Sequence, residues 1–253
     1  FVKNGFVYLN NNSIKKEIQI IRNIIKKIYH KPHDHYTKLD YDEYYSLNIK
    51  TLVAIKKKIK IKEFQKKCIN YFCQKLNLKE DFKRSSFISL LNTRPSKNKA
   101  KFDEAEFVGL HRENFYGNPQ YVNYQINFWF PIFNISKLQN FKFIEGSHKI
   151  PDKNIKFKKK FSRFIKKNSK AHKCGLNYAP KKIISGVPFS KTKRFQVPRD
   201  SFLIFNSNLV HGGGKNLSKK MRFAISFGIV GKKYFKNILI PKNFRSGKSH
   251  YVD

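Results

Sequence analysis

Past about residue 80, one strand-like segment follows another with no helical segment between them. That order limits the possible folds more than any other feature of the chain. Phe87–Pro95, Phe107–Leu110, Tyr121–Phe133, Phe141–Ile144, Phe195–Val197, Ser201–Phe205 and Phe223–Val230 are rich in aromatic and β-branched residues and are bounded by Gly, Pro, Asn or Asp. Parallel pairing needs a long crossover, usually a helix, so consecutive strands joined by short turns pair antiparallel. The first third reads differently. Ile14, Ile18, Ile21, Ile25 and Ile28 fall at helical spacing and predict a helix from Ile14 to Tyr29. Leu47–Leu78 reads as a long helix broken once, with Asn77 as its stop. Helices first and strands afterwards predict a mainly β protein with flanking helices, an antiparallel β core with the helices packed outside it. One domain over 1–253 is expected, with helical support mainly at 12–80 and the barrel core mainly at 83–232.

Composition excludes several classes. Apolar residues make up 40% of the chain and Phe alone occurs 25 times, too many for a disordered polypeptide. The three cysteines, Cys68, Cys73 and Cys174, have no C-x-x-C spacing. A sparse, odd count suits a reducing cytoplasm rather than a disulfide scaffold. No apolar run is long enough to span a bilayer and no signal peptide is legible, so the expected location is cytoplasmic. The net charge of +38 comes mainly from Lys spread along the chain together with abundant Asn and Ile. It reads as biased composition rather than a specific nucleic-acid footprint, although a field of one sign would draw in an anionic substrate.

Chemistry concentrates at Leu110-His111-Arg112-Glu113-Asn114. On an extended backbone, residues i and i+2 share a face, so His111 and Glu113 can converge on one point. A second histidine, His211, follows the strand Ser201–Phe205 and precedes the run Gly212-Gly213-Gly214; Arg222 comes eleven residues later in the next strand. Two imidazoles and one carboxylate form a facial set for Fe(II) that leaves coordination positions open. A further cluster, His30, His33, Asp34 and His35, is a polar loop that reads as exposed rather than metal-binding.

Taken together, Asn4-Gly5-Phe6-Val7, Asn92-Thr93-Arg94-Pro95, Leu110-His111-Arg112-Glu113, Asn127-Phe128-Trp129-Phe130-Pro131, Glu145-Gly146-Ser147-His148-Lys149 and His211 with Arg222 resemble the phytanoyl-CoA dioxygenase-like branch of the Fe(II)/2-oxoglutarate oxygenases. The resemblance spans roughly residues 1–230. It implies a double-stranded β-helix, a jelly-roll or cupin-like barrel, with iron on His111, Glu113 and His211 and 2-oxoglutarate with its distal carboxylate on Arg222, whose planar fork suits a carboxylate. The family usually has H-x-D, and Glu113 reads as a tolerated lengthening. A carboxylate there also argues against halogenase chemistry, which needs a small residue at that position. Many members carry Ser or Thr two residues after the distal His, where this chain has Gly213. Asn127 and Ser226 are therefore candidate donors to the co-substrate, and Arg94 is a further candidate.

The expected reaction is hydroxylation of a small molecule coupled to decarboxylation of 2-oxoglutarate. Arg112, Asn114 and His148 are candidate substrate contacts. The Arg94-Pro95 and His111-x-Glu113 segments look like those of members acting in surface-carbohydrate synthesis, so a sugar or nucleotide-linked sugar is the expected substrate. Two alternatives stand beside it: an oxygenase directed at nucleic acid, and a non-catalytic basic barrel that binds polyanions.

Overall fold

In the computed structural model the described residues are 1–95, 109–162, 165–169, 178–213, 216–235, 240, 242 and 249–253. The chain opens with strand β1 (Phe6–Asn10), followed by helix α1 (Lys15–Ile28). Ile18, Ile21 and Ile25 on α1 are buried, as their spacing predicts. A short helix, α2 (His33–Lys38), stands where a loop was expected. Helix α3 (Tyr41–Lys58) begins earlier than the apolar pattern suggests. A capping box sets that start: Asp40 Oδ1 accepts from the Glu43 amide at 2.8 Å and the Glu43 carboxylate accepts from the Asp40 amide at 3.3 Å. The predicted break falls at Ile59 and Lys60, before α4 (Ile61–Leu76). Asn77 ends α4 in the left-handed region at φ 50°.

The strands follow as β2 (Phe82–Ser85), β3 (Ser89–Thr93), β4 (Ile126–Pro131), β5 (Lys142–Ile144), β6 (Lys156–Lys159), β7 (Lys181–Ser185), β8 (Thr192–Arg194), β9 (Ser201–Asn206), β10 (His211–Gly212), β11 (Arg222–Gly231) and β12 (Tyr251–Val252). All pairings are antiparallel. Several sequence expectations are corrected. β2 was not foreseen. The expected strand at 121–133 shortens to β4, because Pro119–Val122 forms a helical turn. The strand placed at Phe195–Val197 lies just upstream, as β8. Of Phe107–Leu110, the first two residues lie outside the described residues and the last two are not in a strand. The segment 151–182, expected to be an insertion or flap, contributes the β6–β7 hairpin, and 163–164 and 170–177 within it are outside the described residues.

A seven-stranded sheet runs β1-β9-β4-β11-β2-β12, with β3 also on β11; a three-stranded sheet runs β10-β5-β8. Period-two alternation divides the large sheet into two faces. Phe128, Phe130, Phe202, Ile204, Phe223, Ile225, Phe227 and Ile229 face the helices and form one core with Ile14, Ile18, Phe64 and Phe72. Trp129, Leu203, Phe205 and Ala224 face the other way and form a second core with Phe143 from the small sheet and with Phe141 and Phe195 beside it. The two sheets thus lie face to face, with helices on the outside of the larger one, the double-stranded β-helix or jelly-roll arrangement that the family resemblance implied. The β6–β7 hairpin covers the outside of the small sheet, where Ile155 and Ile183 pack on Ile144 and Val210.

Candidate metal centre

His211 stands at the start of β10, and His111 forms an isolated antiparallel bridge to it. The two backbones exchange hydrogen bonds: His111 N to His211 O at 2.7 Å and His211 N to His111 O at 3.0 Å. Arg112 continues extended, at φ −117° and ψ 152°, and Glu113 opens a 3-10 turn. The two-residue spacing therefore works through one extended residue rather than through a full strand. Gly212 lets the two segments approach, since a Cβ there would lie 2.5 Å from the Gly109 carbonyl oxygen.

The side chains converge. Donor atoms of His111, Glu113 and His211 lie within 4.8 Å of one another. His211 Nε2 is 3.2 Å and His111 Nε2 4.0 Å from Glu113 Oε1. Among the described residues no other group of three His, Cys, Asp or Glu is close enough to share an ion. The histidine-rich segment forms none: His33 Nδ1 instead accepts from the Met221 amide at 3.2 Å.

Each histidine is oriented by a backbone carbonyl two residues upstream. His111 Nδ1 lies 2.7 Å from Gly109 O and His211 Nδ1 2.8 Å from Leu209 O. A carbonyl can only accept, so each Nδ1 carries a proton and Nε2 is the atom left toward Glu113, where it donates to the carboxylate when protonated and can ligate a metal when not. Burial, reinforced by the neighbouring His211, pushes the His111 pKa down to about 4, so its ring is neutral at physiological pH. Burial pushes the Glu113 carboxyl upward. The hydrogen bond from His211 and the charges of both histidines outweigh it and hold the carboxyl below its ordinary value. Two imidazoles and one carboxylate are a donor set that suits Fe(II). The rings of Phe141, Phe205 and Tyr116 pack around the histidines, with Phe205 4.7 Å from His211 and Tyr116 5.4 Å from His111. Nothing in the sequence pattern marked Tyr116; its hydroxyl accepts from the Lys181 amide at 2.8 Å and so ties the ligand segment to the β6–β7 hairpin.

Arg222 lies on the inner face of β11, level with Thr93 on β3. Its guanidinium donates to Thr93 Oγ1 at 2.6 Å and Gln139 O at 2.9 Å and sits 5.9 Å from the Trp129 ring. Asn127 shares that inner face two residues before Trp129, and Ser226 shares it four residues after Arg222. The structure does not bring Arg94 there. Period two turns it away from Thr93, so that it donates to the carbonyls of Tyr36 and Leu39 and stacks on Tyr44, on the helical side. The three residues expected to contact substrate are also engaged elsewhere. Arg112 is 2% exposed and donates to Asp152 and to the carbonyls of Ser147 and Ile150. Asn114 donates to Asp152 and Asn123, each at 2.7 Å. His148 bonds Val2 O at 3.0 Å, and its ring fills the space beside Gly5, where a Cβ would meet it at 2.5 Å.

Comparison with known proteins agrees with this architecture. The family model for phytanoyl-CoA dioxygenase matches residues 1–224. No curated protein matches the sequence. Among solved structures, AviO1 from Streptomyces viridochromogenes Tue57 superposes with a TM-score of 0.50 over 91% of this chain and 91% of its own, at 12% identity. The apo form of ThoJ, a non-heme monooxygenase, gives 0.49 over 91% of this chain and 75% of its own, at 11% identity. HygX from Streptomyces hygroscopicus, with nickel and 2-oxoglutarate bound, gives 0.45 over 91% and 84%, at 12% identity. No helix among the described residues is long and apolar enough to cross a membrane.

Proposed function

The chain belongs to the phytanoyl-CoA dioxygenase family, and from that premise we propose that it hydroxylates a small molecule, a sugar or nucleotide-linked sugar. Its class is that of an iron- and 2-oxoglutarate-dependent oxygenase. In this reading His111, Glu113 and His211 hold Fe(II). The observation that carries it is the convergence of these three donors, with both Nδ1 atoms tied to backbone. When bound, iron and 2-oxoglutarate supply an oxidant from dioxygen as 2-oxoglutarate is decarboxylated to succinate.

The protein's own residues do the positioning. Arg222, pre-oriented by Thr93 and Gln139, meets the far carboxylate of 2-oxoglutarate. Asn127 and Ser226 supply donors on the same inner face, the part that a Ser or Thr at position 213 would otherwise play. Phe141 and Phe205 keep water from the histidine side of the metal.

A cleft supports the substrate class. It holds about 650 Å³ and is lined by Phe6, Tyr8, Phe143, Lys142, Arg194 and Lys193, the last paired with Glu145 of the same lining at 2.9 Å. Phe143, which lines it, is the cross-strand partner of His211. Aromatic faces suit a sugar ring, and cations suit phosphate. The test is succinate release from 2-oxoglutarate with nucleotide-sugars, free sugars and acyl-CoA thioesters offered in turn. Stimulation by nucleotide-sugars is expected. Stimulation by an acyl-CoA alone would overturn the substrate class and leave the oxygenase reading intact.

A further inference from the structure

Tyr251 lies beyond the residues that the family model matches. It returns to the large sheet in β12 and is 2% exposed. Its hydroxyl donates to Gln125 Oε1, and Gln125 donates through Nε2 to Asn127 Oδ1. A carboxamide has one accepting end and one donating end. With the Gln125 oxygen taken by the tyrosine hydroxyl, its nitrogen is what faces Asn127. Asn127 must then offer its oxygen to Gln125 and turn its nitrogen the other way. That nitrogen, Asn127 Nδ2, has no acceptor among the described residues, and Asn127 is only 8% exposed. A buried donor left without an acceptor is costly and calls for a ligand. Asn127 stands beside Phe205, whose ring lies 4.7 Å from that of His211. The backbone links the same places: Glu113 N donates to Ser207 O and Ser207 N to Gln125 O, each at 3.0 Å. Gly228 leaves the room that the relay needs, since a Cβ there would come within 2.9 Å of Gln125 Nε2.

We infer that Tyr251 and Gln125 are positioning residues: they fix the Asn127 carboxamide so that its N–H group donates to an oxygen of bound 2-oxoglutarate. This rests on the reading of Asn127 as a co-substrate donor and adds to it the device that aims the donor. Tyr251 touches no co-substrate and acts through Asn127 alone.

The test is calorimetric titration of 2-oxoglutarate into the anaerobic Mn(II)-loaded protein, with metal stoichiometry and thermal midpoint measured for each variant. Asn127→Ala should weaken 2-oxoglutarate by about tenfold, the loss of one hydrogen bond to a charged group. Tyr251→Phe should weaken it by about fivefold, because Gln125 is then free to rotate. Gln125→Glu keeps the acceptor for Tyr251 but has no N–H for Asn127, so it should match Tyr251→Phe. In the Asn127→Ala background, Tyr251→Phe should add nothing. Wild-type affinity in Tyr251→Phe and Gln125→Glu, or a loss that persists undiminished in the Asn127→Ala background, overturns the relay. Wild-type affinity in Asn127→Ala overturns the Asn127 reading and the relay with it. Should Tyr251→Phe fold poorly, Gln125→Glu decides the question alone.

Discussion

His111 and His211 are direct cross-strand partners, exchanging two backbone hydrogen bonds with their ring centroids 4.5 Å apart. One hundred residues of chain close on that pair, and Glu113 completes the set from the turn that follows. The rings are held by backbone carbonyls and not by each other, so losing one should leave the other in place. His111→Ala and His211→Ala should therefore each abolish Fe(II) binding under anaerobic titration while remaining folded. The wild type should bind one equivalent. One equivalent retained in either variant would remove that histidine from the ligand set.

The same burial makes the metal-free protein sensitive to acid. The folded pKa of His111 is about 4, against an ordinary 6.5. As pH falls between these values the unfolded chain takes up a proton that the folded chain refuses, so stability falls with pH across that window. The Glu113 carboxyl, held below its ordinary value, is protonated first in the unfolded chain and pushes the same way at lower pH. From His111 alone, roughly 2 kcal/mol of unfolding free energy should disappear between pH 7 and pH 5. Urea unfolding of chelator-treated protein at the two pH values measures it. His111→Gln should show a flatter dependence; an equal slope in that variant would place the acid sensitivity elsewhere.

Arg112 sits between two candidate metal ligands yet serves the fold. Its three acceptors, Asp152, Ser147 O and Ile150 O, hold the turn after β5 against the ligand segment. Arg112→Met keeps much of the volume and removes every donor. It should cost about 2–4 kcal/mol in thermal or urea unfolding, since it leaves partners unsatisfied. The affinity of the folded fraction for 2-oxoglutarate should not change. A stable variant with a raised KM for the second substrate would return Arg112 to the role of substrate contact.

Much of the centre was legible because its rules are local. Two-residue spacing puts His111 and Glu113 on one side, and alternation along β11 puts Arg222, Ala224 and Ser226 on one face with the aromatics behind them. The same rule, applied to β3, would have excluded Arg94: Thr93 reaches Arg222, so its neighbour must point at the helices. The start of α3 was legible too, in Asp40-x-x-Glu43. What could not be read were the long-range partners. Asp152 lies some forty residues from the two side chains it engages, and Tyr251 is more than a hundred from Gln125. Polar residues next to a motif look like substrate contacts until their distant partners are known.

Arg222 separates a 2-oxoglutarate oxygenase from any barrel that merely binds metal. Three ligands suffice for the metal, whereas the co-substrate needs a cation for its far carboxylate. Arg222 is 7% exposed and is held from two sides by Thr93 Oγ1 and Gln139 O, which point its fork along the inner face of the sheet. Such preorganisation lowers the entropy lost when the carboxylate arrives. Arg222→Ala should leave the iron stoichiometry at one, because none of the three ligands depends on it. It should weaken 2-oxoglutarate by a factor of at least about 30, since removing one partner of a buried charge-assisted pair costs roughly 2–5 kcal/mol. Arg222→Lys keeps the charge but loses the fork, and should fall between the two. The charge-transfer band of the anaerobic Fe(II) protein, followed during 2-oxoglutarate titration, reads all three. Wild-type affinity in Arg222→Ala would mean that another cation holds that carboxylate or that the co-substrate is a different molecule. Arg94 could not be that cation without leaving Tyr36, Leu39 and the ring of Tyr44.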